Sequence, residues 1–408
     1  MSPLVYLAAG EHSGDVIGAR LIDALRGRRP DLRFAGVGGP RMAELGVQSL
    51  YPMQDLAVMG LVEILPRLRL LRRRLRQTVA DIEARKPDIV VTIDSPGFML
   101  RLLRRIGPLG IPRVHYVAPQ VWAWRRNRVK KFPGLWESLL CLMPFEPPWF
   151  AEHGVSARFV GHPVLESGAD LGDAARFRER YHVPRLATVI VLMPGSRPTE
   201  VKRLLPIFGR TLDSLRQVEP GIVAVIPVPL AVAGVVEAMV ATWPERPVIV
   251  TDLADKHDAF ASAGAALTKS GTSTLELALA GVPMAVTYRV NPITAWFARR
   301  LIRVPFVAMI NLLAVRRLVP ELLQQDCRPE ILARTLIDLL ENQKSADDQR
   351  AGFREALARL RPASGDPSVA AADAVLAVLD QRSGPACGEQ GGGAVASRTA
   401  LRFQLPAV

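Results

Sequence analysis

The feature that most constrains this chain is a rhythm. Short apolar, β-branched runs alternate with longer segments of helical period, and the pattern occurs twice. The first set of runs is LVYLAAG, RFAGVGG, DIVVTID, RVHYVAP and SLLCLMPF, and the segments between them carry leucine and arginine at helical spacing. Over residues 157–185 the rhythm lapses, and TVIVLMPGS, GIVAVIPV, PVIVTD, GAALTKS and PMAVTYR then restore it. Strands that alternate with helices build a parallel sheet wrapped by those helices. A chain of 408 residues exceeds what one core usually organises, so two such units are expected. The predicted fold class is therefore α/β, with two Rossmann-like domains facing a cleft and C-terminal helices packing across. The domains are placed at 1–165 and 166–345. Past residue 330 the pattern is helical only; the helices of 346–382 pack on one or both domains, and a glycine-rich stretch over 383–408 reads as a disordered tail.

Hydrophobic residues make up 49% of the chain and charged ones 22%, the balance of a globular protein rather than a disordered one. Lysine and arginine number 52 against 39 acidic residues, a net charge of +13. That excess suits a polyanion or an anionic membrane surface, and it equally suits an arginine-rich proteome. Cys141, Cys327 and Cys387 are too few and too scattered for a disulfide framework or a zinc site, which fits a reducing cytoplasm. The N-terminus MSPLVYLAAGEHSGD lacks a basic n-region, so no signal peptide is expected. No apolar run approaches the roughly 18 residues that span a bilayer. The six histidines show no metal-ligand spacing, and neither a metal nor a cofactor is predicted.

Four strand ends carry residues suited to chemistry. In AAGEHSGDVIGARL, a strand runs into a turn and a helix opening at Ser13, Gly14 and Asp15. Free N–H groups there suit an anion or a hydroxyl-rich ligand, although Ser13 equally reads as a helix cap. The spaced glycines of a dinucleotide fingerprint are missing. In VVTIDSPGFML a hydrophobic strand ends in Asp94. In VLMPGSRPTEVKRLLP the turn Gly195, Ser196, Arg197 lets a phosphate approach the following helix, and the guanidinium can pair with its oxygens. In ALTKSGTSTLELALAGVPMAV the strand AALTK passes through Ser270, Gly271, Thr272 and Ser273 into a helix bearing Glu276. Glu276 suits a ribose diol, and Ser273 with Glu276 also has the spacing of a capping box.

Two stretches mix arginine with an apolar stripe. In MGLVEILPRLRLLRRRLRQTV, Leu61, Leu68, Leu71 and Leu75 interleave with Arg69, Arg72 and other arginines, and ITAWFARRLIRVPFV over 293–307 has a similar mixture. Such helices can lie on an anionic bilayer, burying leucine while arginine meets phosphate. A core-facing helix with an arginine-rich outer face has the same pattern. No nucleic-acid reading module accompanies the charge, so no nucleic-acid partner is expected. VAPQVWAWRRNRVKKF joins Trp122 and Trp124 to five cations, a combination equally suited to a sugar and to a domain core.

Taken together, EHSGD, TIDSPGF, HYVAPQVWAWR, MPFE, VGHP, LMPGSR, KSGTSTLELALAGVPM and NLLA resemble, in order and spacing, the lipid-A-disaccharide synthase family. The similarity runs from about residue 3 to 380. One departure is Ser-Pro-Gly at 95–97, where some members carry Ala-Pro-Asp; the carboxylate of Asp94 is unaffected. The resemblance implies a GT-B, inverting hexosyltransferase. It would transfer 2,3-diacylglucosamine from its UDP derivative to the 6-hydroxyl of 2,3-diacylglucosamine 1-phosphate, giving a β-1,6 disaccharide 1-phosphate and UDP in lipid A biosynthesis. It also implies a peripheral position on the cytoplasmic face of the inner membrane and places Asn311 near the nucleotide sugar, where a turn amide is the alternative.

An inverting transfer needs a base on the acceptor hydroxyl and charge stabilisation on the departing diphosphate. Asp94 is the expected base, or else orients the acceptor, with Ser13, Gly14 and Asp15 (or Glu11) beside it. The expected UDP-sugar residues are Gly195, Ser196, Arg197, Ser270, Gly271, Thr272, Ser273, Glu276 and Asn311. Hydrophobic surroundings would raise the pKa of Asp94 and neighbouring arginines would lower it. Two rivals stand beside this reading: a UDP-N-acetylglucosamine 2-epimerase-like enzyme on the same fold, and a non-enzymatic binder of anionic membranes. An oligomer is compatible with the sequence, and acyl-chain preference is not written in it.

Overall fold

A computed structural model of the chain describes residues 2–56, 61–124, 126–291 and 304–383. The basic stretch at 293–303 and the tail at 384–408, expected to touch membrane and to be disordered, lie outside the described residues, as does the side chain of Leu61. The chain divides into two units, residues 2–163 with 360–383 and residues 164–359.

The first unit is a six-stranded sheet ordered β2-β1-β3-β4-β5-β6, with β1 Leu4–Ala9, β2 Arg33–Val37, β3 Ile89–Ile93, β4 Arg113–Tyr116, β5 Ser138–Cys141 and β6 Ala157–Phe159. All its pairings are parallel. Alternate residues of β1 enter different cores, because successive side chains point to opposite faces of a strand. Tyr6 and Ala8 pack with Leu75, Ile82, Phe98 and Leu102 on one face. Val5, Leu7 and Ala9 pack with Leu21, Ile22 and Leu25 of helix His12–Arg28 and with Ala371, Val375 and Leu379 of helix Pro367–Ser383 on the other.

The second unit repeats the plan in the order β12-β11-β10-β7-β8-β9, again parallel throughout. Its strands are β7 Thr188–Met193, β8 Ile222–Pro227, β9 Val248–Val250, β10 Ala263–Lys269, β11 Met284–Tyr288 and β12 Glu321–Leu323. Helices Pro198–Arg216, Leu230–Val240 and Pro329–Glu341 bring Leu204, Phe208, Val236, Leu332 and Leu336 onto Ile190, Leu192 and Leu267.

Every strand read from the sequence is present. Each sheet also has an edge strand the sequence reading lacked, β6 and β12, of three residues apiece. The order of each sheet reverses once. In the first unit successive strands run one way from β1 and the other way from β3; in the second the reversal falls between β7 and β10. At such a reversal the connections leave in opposite directions and open a crevice beyond the C-terminal strand ends, where ligands of open α/β sheets bind.

Candidate active site

The reversal in the first unit brings the loop after β1 onto the loop after β3. Gly10 permits this closeness, since a Cβ there would sit 2.5 Å from Ser95 Oγ. The Ser95 hydroxyl donates to Glu11 Oε1 at 3.4 Å. Asp94 and Ser95 both take left-handed backbone conformations, with φ of 52° and 43°. Such strain in two consecutive non-glycine residues gathers at functional sites. The Asp94 amide donates to Tyr116 O at 2.9 Å, tying this turn to β4.

The Asp94 carboxylate is half-buried. Burial raises its pKa, while the Ser95 N–H and the Ser13 hydroxyl, both donating to it, pull it back. Hydrogen-bond donors rather than arginines thus oppose the desolvation. Ser13 is not a helix cap: helix His12–Arg28 begins one residue earlier, and the Ser13 side chain is spent on Asp94. Gly14 is buried, and a Cβ there would meet the Cβ of Ala9 at 3.4 Å.

Asp15 requires a correction. It is fully buried, with Oδ1 accepting from the amides of Gly39 (2.8 Å) and Met42 (3.1 Å) and Oδ2 from that of Arg41 (3.0 Å). It anchors the turn after β2, and its complete burial leaves it no face toward an acceptor sugar. Trp122 is also structural. It is buried, donates Nε1 to Glu146 Oε1 at 3.0 Å and packs edge-on against Phe145. Trp124's side chain lies outside the described residues.

At the reversal in the second unit, the turn after β7 carries Gly195, Ser196 and Arg197. Gly195 has φ of 121°, and a Cβ on it would lie 2.4 Å from Glu200 Oε2, so both conformation and space require glycine. Ser196 and Arg197 are exposed, and Arg197 Nη1 lies 3.5 Å from Glu200 Oε1. After β10, the Ser270 hydroxyl donates to Val307 O at 2.7 Å, and Ser273 Oγ shares a hydrogen bond of 3.0 Å with Thr268 Oγ1. Gly271 is half-buried and Thr272 exposed. The capping box does not form: Ser273 lies inside helix Ser273–Leu279, and Glu276 pairs with Lys256 Nζ at 2.8 Å.

Asn311 is the second correction. It is fully buried; its amide donates to Val319 O (3.0 Å) and Glu321 Oε1 (2.8 Å), and its carbonyl accepts from the amides of Leu318 (2.8 Å) and Val319 (2.9 Å). Two donors and two lone pairs are thereby used, so no capacity remains for a sugar. Asn311 supports the site at one remove, since Glu321 also accepts from the amides of Val307 and Ala308, beside Ser270.

Leu75 is the third correction. Helix Leu61–Arg85 turns Leu75 and Ile82 into the first core, where Leu71 also packs. Arg74 on the same half stacks over Tyr51 and pairs with Asp55 at 2.5 Å. Leu75 has no apolar surface to give a bilayer. Leu68 is half-buried, whereas Arg67, Arg69, Arg72 and Arg73 are exposed. No described helix is long and apolar enough to cross a membrane.

The sequence reading assigned nothing to Glu200, Lys256, Lys269 or Tyr288, which the structure gathers around the turns after β7 and β10. Lys269 Nζ lies 3.1 Å from Glu200 Oε1 and 5.6 Å above the Tyr288 ring. The available signal was positional, for Lys269 ends β10 and Tyr288 ends the adjacent β11.

Residues 5–375 match the family model described as lipid-A-disaccharide synthetase. A lipid-A-disaccharide synthase of Granulibacter bethesdensis is 63% identical over 93% of this chain and 100% of its own length. That of Gluconobacter oxydans is 60% identical over 93% of this chain and 91% of its own. Among solved structures, UDP-GlcNAc 2-epimerase from Neisseria meningitidis, bound to UDP-GlcNAc, superposes with a TM-score of 0.62 at 11% identity, covering 94% of this chain and 100% of the other. That last likeness concerns the fold.

Proposed function

Because the chain belongs to the lipid-A-disaccharide synthase family and is a hexosyltransferase, we propose that it moves 2,3-diacylglucosamine from UDP-2,3-diacylglucosamine onto the 6-hydroxyl of 2,3-diacylglucosamine 1-phosphate. The products are the β-1,6-linked tetraacyl disaccharide 1-phosphate and UDP. The epimerase reading shares the fold at 11% identity and is not favoured.

The observation that carries the mechanism is Asp94, a half-buried carboxylate with a raised pKa at the end of β3, in the crevice of the first unit. A carboxylate moved toward neutrality is the better proton acceptor. Asp94 takes the proton of the acceptor hydroxyl as that oxygen attacks the anomeric carbon. The bond to UDP breaks on the opposite side of the carbon, inverting it, and the proton passes from Asp94 to solvent. Ser13 and the backbone at Gly14 line the acceptor's approach.

The second unit holds the donor. The backbone at Gly195 and Ser196 and the guanidinium of Arg197 meet the diphosphate, the amides of Gly271, Thr272 and Ser273 and the Thr272 hydroxyl face it from a turn that Ser270 holds through Val307 and Thr287, and Glu276 receives the ribose diol. Charge developing on the leaving phosphate is thus met by donors already in place, which is commonly the main source of rate enhancement in such transfers. The exposed arginines of helix Leu61–Arg85, Arg69 and Arg72 among them, rest with Leu68 on the anionic inner-membrane surface where both acylated substrates reside.

The test is incubation of the protein with both lipids in detergent micelles, following UDP and disaccharide. Asp94→Asn should lower kcat by about 10² to 10⁴ while leaving UDP binding intact. Near wild-type turnover in that variant would remove Asp94 as the base, and absence of disaccharide with the wild-type protein would remove the reading itself.

A further inference from the structure

Lys269 is the last residue of β10, which lies between β11 and β7, so its side chain emerges where three neighbouring strands end. Two contacts fix it there: Glu200 Oε1 at 3.1 Å and the ring of Tyr288, whose centroid is 5.6 Å away. Arg197 Nη1 approaches the same Glu200 oxygen at 3.5 Å. Cations from two different strand ends thus converge on one carboxylate oxygen.

Glu200 holds both cations at the ends of β7 and β10. Glu200 is 9% exposed, and its other oxygen, lying against Gly195, has no hydrogen-bond partner among the described residues. Arg203, donating to the Arg289 carbonyl at 3.3 Å, adds to the positive field at the end of β11. An ammonium has three N–H donors, and Glu200 occupies one. A lysine oriented by an anion and an aromatic ring, beside the turn that carries Arg197, is preorganised for an incoming oxyanion.

We propose that Lys269 is a second diphosphate-binding residue, whose ammonium shares with the Arg197 guanidinium the charge of the departing UDP. This rests on the reading of the Gly195–Arg197 and Ser270–Ser273 turns as the seat of the donor diphosphate. Glu200 keeps the two cations apart and aimed at that seat before the donor arrives.

The experiment is calorimetric binding of UDP and of uridine to the full-length protein, its Lys269→Ala variant and its Arg197→Ala variant, at two salt concentrations. Lys269→Ala should weaken UDP about tenfold, the worth of one charge-assisted hydrogen bond, and make its affinity less sensitive to salt. Uridine, which has no phosphate, should bind as before. If Lys269→Ala leaves UDP affinity unchanged while Arg197→Ala lowers it, the diphosphate seat stands and the role of Lys269 is overturned. If neither substitution affects UDP, both are overturned. Equal loss of UDP and uridine in Lys269→Ala would mark the lysine as structural and also overturn the proposal.

Discussion

Asp94 owes its charge state to a contest between burial, which raises its pKa, and two donors, the Ser95 amide and the Ser13 hydroxyl, which lower it. Ser13→Ala removes one donor, so the carboxyl should titrate higher still. A base must be deprotonated to act, so the acid limb of the kcat/KM profile should move to higher pH. An acid limb that stays where it was would show that Ser13 has no hold on the proposed base. Asp94 could be singled out from sequence because a carboxylate ending an apolar strand is conspicuous. Asn311 stands out only through the family resemblance of its motif, yet its four internal hydrogen bonds depend on residues 318–321 folding back over it, and the motif contains none of them. Lys269 had the reverse problem, for only the pairing of β10 with β7 and β11 gives a lone lysine its carboxylate and its ring.

Among elements, the turn after β2 is held less by its own residues than by Asp15 on a neighbouring helix, which receives three of its amides. Asp15→Ala would leave those donors without their acceptor, two of the bonds being buried. A loss of about 2–5 kcal/mol should follow, read as a lower urea midpoint, with UDP affinity retained in the still-folded fraction. An unchanged midpoint would make Asp15 a ligand-binding candidate again. Ten of the strands could be read from sequence because each lies in a bounded apolar run. ARF and ELL, which form β6 and β12, are too short for any period to show and exist as strands only because a neighbour offers a free edge. Helix Leu61–Arg85 misled for a related reason. Leucine beside arginine describes a stripe, but which leucines meet the sheet is set by where the helix lies over it, and Leu75 meets it.

For the molecule as a whole, buried titratable groups set the response to acid. His115, stacked on Trp136 and bonded to Thr92, and His162 are pushed by burial to about 4. Unfolded histidine titrates near 6.5, so as pH falls below that the unfolded chain takes protons the native one refuses, and each histidine then costs about 1.4 kcal/mol per pH unit. Glu146, raised by burial to about 7, acts in the opposite sense, because the native state holds its proton at pH values where the unfolded chain has released it. Taken by themselves, these two histidines against one glutamate leave a loss of about 1.4 kcal/mol per pH unit between roughly 6.5 and 4.5, to which His257, also lowered by burial, adds and which Asp94, raised by burial, opposes. Urea unfolding at pH 7 and pH 5 should show it; equal stability at both would mean that these groups are not buried as described.

The return of helix Pro367–Ser383 to the first unit has a consequence for synthesis. Its Ala371, Val375 and Leu379 belong to the same core as Val5, Leu7 and Leu21, which a ribosome delivers ahead of the whole second unit. Everything from residue 164 to 359 must be translated before that core can close, a wait of roughly 10 to 40 seconds at about 5–20 residues per second. Throughout it, one apolar flank of the nascent first sheet stays uncovered, while the second unit holds all of its own strands and can fold first. The half of the protein that is begun first is therefore the half finished last, and its unsealed flank is the natural seat for a chaperone during the interval.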